Sequence, residues 1–331
     1  DDYKTLGTML TDERDSDLAR LALEPAPGAF IDPLFLAALG KTTGRTRLGL
    51  IDTLARRRTA AAVPELSKLL KDSDAATIAA AAHALGSIAS AAAVAALHAT
   101  PEPSAAPIAA AKLAAATRLP AAAALTMLRE LERSARSPAH RTAAFRLTLE
   151  IEMGAAAGRI ATALGGNDWA FKQVALEAIA KSTAPNLVAT LTSSLAKWDA
   201  PTQAGVIAAL ARRPDPAALP AIVTAAAHTD ADVRTAALAA LGFFPGNRDV
   251  VALLAKAITT TTGEESRVAK QSLARLNGPD VNAAIVAGAG RGDAASRVVY
   301  LEQLALRNQT AAIVLLLKNS NAPDASVRSA S

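Results

Sequence analysis

The chain has 331 residues, of which 51% are hydrophobic but only 3% aromatic, with a formal net charge of +5 and no cysteine. The missing cysteines exclude disulfides, thiolate nucleophiles and Cys-ligated zinc or iron–sulfur sites, and so small a net charge does not by itself mark a nucleic-acid binder. Alanine supplies much of the apolar content, which favours helix and close helix packing over a core of large side chains.

Residues 1–29 follow no clear period and read as an irregular helical segment, without a secretory h-region or an amphipathic transit peptide. A repeat begins near residue 30. Taking the pair Leu238/Leu241 as a ruler, the matching pairs are Ile51/Leu54, Ala82/Leu85, Leu113/Ala116, Phe145/Thr148, Leu176/Ile179, Ile207/Leu210, Leu273/Leu276 and Leu301/Leu304. In chain order their first members advance by 31, 31, 32, 31, 31, 31, 35 and 28 residues. Each pair is predicted to lie on the second helix of a helical hairpin.

Eight residues before each first member, where that helix should begin, stand Thr43, Asp74, Ala105, Ser137, Asp168, Asp199, Asp230, Glu265 and Asp293. Seven of these nine are Ser, Thr or Asp, whose oxygens accept bonds from the unpaired N–H groups of a helix start. Glu265 suits the positive end of the helix dipole. Residues 64–70, Asn186 to Lys197, Ala217 to His228 and Val250 to Thr259 read as first helices. Pro33, Pro64, Pro120, Pro185, Pro216 and Pro279 are placed near the starts of first helices, where a missing N–H costs little. Gly86 and Gly242 read as helix stops. Residues 75–101 carry no Asp, Glu, Lys or Arg. Their alanine content, two histidines and agreement with the register make them a repeat, not a membrane span.

A single hairpin cannot bury both faces, so the units must stack. The expectation is an all-α fold, an α-solenoid (α–α superhelix) of nine to ten hairpins over residues 30–331. The last repeat is expected to be incomplete: Asp324 falls at its cap and Arg328 at its basic position, but the next ruler position falls one residue past Ser331. The native polypeptide is therefore expected to continue.

The windows Pro64 to Ile88 and Pro220 to Gly242 resemble short bacterial HEAT repeats of the type also found in phycobilisome bilin lyases. The resemblance covers roughly residues 30–331 and is weaker around Leu113 and Phe145. A looser likeness, to alanine-rich HEAT regions of large exported bacterial proteins with a sugar-active or haem-binding module, favours the periplasm or export over the cytoplasm.

Four residues before the ruler, five of nine positions are basic: Arg47, Arg141, Lys172, Arg234 and Arg297. Asp168/Lys172, Asp230/Arg234 and Asp293/Arg297 have the favourable acid-then-base spacing on a helix, and the HEAT resemblance implies that these bases form a ladder between repeats. A second set follows the ruler: Arg56, Arg57, Arg118, Lys181, Arg212, Arg213 and Arg307. Cations there answer the negative end of a helix dipole. The run Arg56-Arg57-Arg58 is the densest point of the edge they make, where an anionic partner could be drawn. Trp169 and Trp198 flank the caps Asp168 and Asp199 near Phe171 and Lys197. They are either packing between turns or a partner hot spot, and Phe243-Phe244 is a second candidate.

Catalytic patterns fail at their residues. His83, His98, His140 and His228 are each followed by Ala, Arg or Thr, not by the Glu on which HEAT-type di-iron deoxyhypusine hydroxylases rely. Ser194-Leu-Ala-Lys197 lacks the companion elements of penicillin-interacting enzymes. The glycines at 288, 290 and 292 follow no strand, and Asp293 in Arg291-Gly292-Asp293 is already a cap. The expected function is a non-catalytic scaffold binding a protein partner or another domain of the same chain, with no cofactor, no metal and no membrane span. Nucleic-acid or polyanion binding along the arginine edge, an accessory role in an exported sugar-active or haem protein, and an enzyme with an unrecognised site are the alternatives.

Overall fold

The computed structural model describes residues 2–100, 106–244, 247–307 and 310–331, with backbone alone for 310–312. Among the described residues the ordered elements are 22 α-helices and three short 3-10 turns, and there is no strand. Two compact units divide the chain, Asp1–Ile151 and Glu152–Ser331.

The first unit holds α1 (Asp2–Met9), α2 (Ser16–Leu23), α3 (Gly28–Leu39), α4 (Gly44–Arg57) and α5 (Val63–Leu69). It continues through α6 (Ala75–Ile88), α7 (Ala91–Ala99), α8 (Ala106–Ala116), α9 (Ala121–Ser134) and α10 (Pro138–Ile151). The second unit holds α11 (Ala157–Gly165), α12 (Trp169–Lys181), α13 (Leu187–Ser194), α14 (Ala200–Ala211), α15 (Leu219–Ala225) and α16 (Ala231–Leu241). It ends with α17 (Arg248–Thr260), α18 (Gly263–Arg275), α19 (Pro279–Arg291), α20 (Ala294–Leu306), α21 (Thr310–Asn319) and α22 (Ala325–Ser329).

Odd-numbered helices from α3 onward are the first helices of hairpins and even-numbered ones the second. Within the first unit α4, α6, α8 and α10 pack side by side in order, and within the second so do α12, α14, α16, α18 and α20. This stacking buries what one hairpin leaves open. Every ruler residue is buried except Leu113 and Leu176, which are half-buried. The N-terminal segment is helical, and α1 and α2 pack on α3 and α4 as one more helix pair.

Asp74, Asp168, Asp199, Asp230, Asp293 and Asp324 each cap a second helix through side-chain bonds to its first N–H groups. Thr43 holds the cap position without a side-chain bond, ahead of Gly44 at φ +56. Ala105 lies outside the described residues. Glu265 is not a cap, because α18 begins after Thr262. The regular register there runs through Ala269 and Ser272, both buried. Leu273 and Leu276, buried as well, lie one turn further on, which is why the steps are uneven there.

Two further expectations need correction. Pro33 lies inside α3, five residues past its first, not near its start. Gly86 is not a stop but an interior residue of α6. A Cβ on Gly86 would fall 2.5 Å from the Ala111 carbonyl oxygen of α8, and one on Gly242 would fall 2.8 Å from Ser272 Cα of α18. At corresponding register positions, these glycines let neighbouring second helices approach backbone to backbone.

Candidate functional site

Where the early position of a second helix is basic, the side chain is held by its repeat's own turn, by the next repeat, or by both. Arg47 bonds the Thr42 carbonyl and pairs with Asp72 at 3.1 Å. Lys172 reaches past Asp168, its expected partner one turn away, to Asp199 at 2.9 Å and the Thr202 hydroxyl at 2.8 Å. The Thr202 hydroxyl, followed by the Lys172 ammonium and the Thr202 backbone N–H, pulls the Asp199 carboxyl down to about 2. Arg234 grips Glu265 in two bonds of 2.6 and 3.1 Å and donates to the His228 and Thr229 carbonyls at 2.9 Å. This fork is the strong form of an ion pair. Arg297 donates to Asn319, and Arg141 and Arg328 bond carbonyls of the turns before their own helices. The ladder thus runs between repeats, not along one helix at i,i+4.

A second set of arginines reaches backwards. Arg57 donates to the Glu24 and Ala26 carbonyls just past α2, pairs with Asp32 and lies 5.8 Å from the centroid of the Phe35 ring. Arg213 donates to the Ser182 carbonyl that ends α12. Arg307 donates to the Leu273 carbonyl of α18 at 2.7 Å and to Asn282 at 3.1 Å. Each cation therefore meets the carbonyl-bearing end of the preceding second helix, rather than only that of its own. Of the Arg56–Arg58 run, Arg57 is largely covered, Arg56 pairs with Glu24 and Asp52, and Arg58 is exposed in a left-handed C-cap at φ 53.

The aromatics separate. Trp169, the first residue of α12, is 63% exposed, whereas Trp198 is 9% exposed and packs with its indole nitrogen over Gly165 at the end of α11. Phe171 is half-buried and Lys197 exposed. Phe243 is 41% exposed with the Arg275 guanidinium 4.2 Å from its ring centroid, and Phe244 is buried. The two tryptophans therefore do not form one exposed pair.

Two features carried no sequence signal. Lys112 of α8 is fully buried, with its ammonium 3.0 Å from Glu130, whose other oxygen lies 3.0 Å from His98 Nδ1. Among alanines, nothing one-dimensional marks that lysine. The other is a crevice between α15 and α17, lined by residues from both hairpins. Among the described residues no group of three or more His, Cys, Asp or Glu is arranged to hold a metal ion, and no helix is long and apolar enough to cross a membrane.

A family model described as HEAT repeats matches residues 31–111 and 188–274, half of the chain between them. A search of curated proteins finds no match. A crystal structure of Kap121p aligns over 96% of this chain and 47% of its own, at 11% identity and a TM-score of 0.51. The karyopherin Kap121p bound to the extreme C-terminus of the protein phosphatase Cdc14p aligns over 99% and 49%, at 12% identity and a TM-score of 0.50. The chain spans about half the length of these solved proteins, and at such identity the likeness speaks to the fold alone.

Proposed function

The chain belongs to the HEAT-repeat family, and from that premise we propose that it is a non-catalytic scaffold whose partner is a polypeptide, either another protein or another domain of the same chain. The observation that carries this reading is Trp169, whose large apolar ring stays 63% exposed at the first turn of a capped helix. An exposed tryptophan on a rigid element supplies contact area at low entropic cost, which is why Trp is enriched where partners bind. The cations in register point the same way. Arg47, Lys172, Arg234, Arg57, Arg213 and Arg307 are all engaged with oxygens of neighbouring repeats, which leaves them poorly placed to neutralise phosphates. The karyopherin of similar fold holds the extreme C-terminus of another protein, an occupant of the kind proposed here.

The test is capture of polypeptides on the immobilised chain and on Trp169→Ala, with thermal melts alongside. The expected result is a capture weakened by about tenfold or more, the loss typical of a hot-spot tryptophan, with an unchanged melt. Unchanged capture by Trp169→Ala would remove Trp169 from the interface.

A further inference from the structure

The helix α15 ends after seven residues, while α17 runs for thirteen. Where they face each other the side chains are short: Ala226 follows α15 and Ala257 lies on α17. The result is an open crevice of about 310 Å³ whose walls include Val223, Ala226, Leu238, Leu253 and Ala257. This is large enough for an aliphatic side chain and within the size range of ligand clefts.

Polar groups also line the crevice, and all but one are satisfied from within. Glu265 is held in the two-bond fork of Arg234, whose guanidinium also donates to the His228 and Thr229 carbonyls. The hydroxyls of Thr260 and Thr261 donate to the Lys256 and Ala257 carbonyls. Lys256, another lining residue, differs. It is exposed and makes no ion pair among the described residues. The crevice is therefore walled largely by apolar side chains, with Arg234 and Glu265 neutralising each other and the Lys256 ammonium left as its unpaired charge.

We propose that this crevice is a docking site for a peptide segment that carries an aliphatic side chain beside a carboxylate, the side chain entering between α15 and α17 and the carboxylate meeting Lys256. The proposal rests on the scaffold reading and names the chemistry of its partner. Polyanions lack the apolar group that the alanine and leucine walls would exclude from water, and a basic segment would meet Lys256 as a like charge.

The probes are two short fluorescein-labelled peptides, one of glutamate and leucine and one of lysine and leucine, titrated by anisotropy. The acidic peptide is expected to bind saturably, about tenfold or more tighter than the basic one. Ala257→Trp fills the crevice and should weaken that binding by about tenfold or more. Lys256→Glu, a surface change that leaves the walls intact, should invert the preference between the peptides. Equal affinity for both peptides, or acidic-peptide binding that survives both substitutions, overturns the proposal. Capture of a natural polypeptide that is likewise indifferent to both substitutions overturns it while leaving the scaffold reading in place.

Discussion

Gly86→Ala tests the close approach of second helices. On α6 the new Cβ would lie 2.5 Å from the Ala111 carbonyl oxygen and 2.9 Å from its Cα. Two carbons prefer roughly 3.5–4.0 Å, and these are backbone atoms of α8 that no side-chain rotation can clear. The substitution gains about 1 kcal/mol of helix propensity but forces an overpacked seam that costs about 1–3 kcal/mol. The expected net loss is about 1 kcal/mol, a fall of about 2–4 °C in the melting of a unit this size. Gly290→Ala is the control: it lies in α19 with nothing within 4 Å of its would-be Cβ, so propensity acts alone and raises stability by about 0.5–1 kcal/mol. Calorimetry or urea unfolding of the two variants should give shifts of opposite sign. If Gly86→Ala stabilises as Gly290→Ala does, the two helices are not in backbone contact and the stacking described here is wrong.

Asp230→Ala removes the acceptor for the Asp232 and Val233 N–H groups and should cost about 1 kcal/mol, read as a lower urea midpoint. An unaltered midpoint would mean that α16 is not capped there. Arg213→Ala leaves the Ser182 carbonyl unpaired and should cost about 1–3 kcal/mol, with faster amide exchange at the end of α12. Protection unchanged there would refute the backward reach of that arginine. The carboxyls of Asp74, Asp199, Asp293 and Asp324 are all held below their usual range by hydroxyl and N–H donors, Asp199 at about 2. Because these folded values lie below the unfolded value of about 3.9, their stabilisation is present above about pH 4 and lost as pH falls toward about 2. Helicity followed by circular dichroism should fall across that window, and less steeply in Asp199→Asn. An acid profile identical to wild type in that variant would contradict the Lys172–Asp199–Thr202 arrangement.

The fold was legible because helix caps and core positions recur at one spacing, and both are set by local chemistry. Asp74, Asp168, Asp199, Asp230 and Asp293 cap where the register puts them. At α18 the regular positions are hidden because Ala269 and Ser272 fill them with small side chains, while the larger Leu273 and Leu276 dominate the hydrophobic pattern one turn on. The basic positions were legible as a set, but their partners were not. Lys172 has an acid one turn away at Asp168 and another across the turn at Asp199, and only packing decides that the second one wins. The same holds for the aromatics. Trp169 and Trp198 flank the caps of successive second helices, and only the packed chain sets the Trp198 indole against Gly165 while leaving Trp169 exposed. Lys112 and the crevice beside Ala257 arise from three-dimensional neighbours alone, so no spacing announces them.

The most direct test of the central claim, that this array binds polypeptide and not nucleic acid, is the salt dependence of what it retains. Immobilised chain would be challenged with polypeptide mixtures and with DNA and RNA at about 50 and about 200 mM salt, a change that weakens a ligand held by six to ten phosphate contacts roughly 10³- to 10⁵-fold. The account predicts a polypeptide retained at both salt levels and lost in Trp169→Ala, with only weak nucleic-acid binding throughout. Tight retention of DNA or RNA at low salt that collapses at high salt, unaffected by Trp169→Ala, would contradict it.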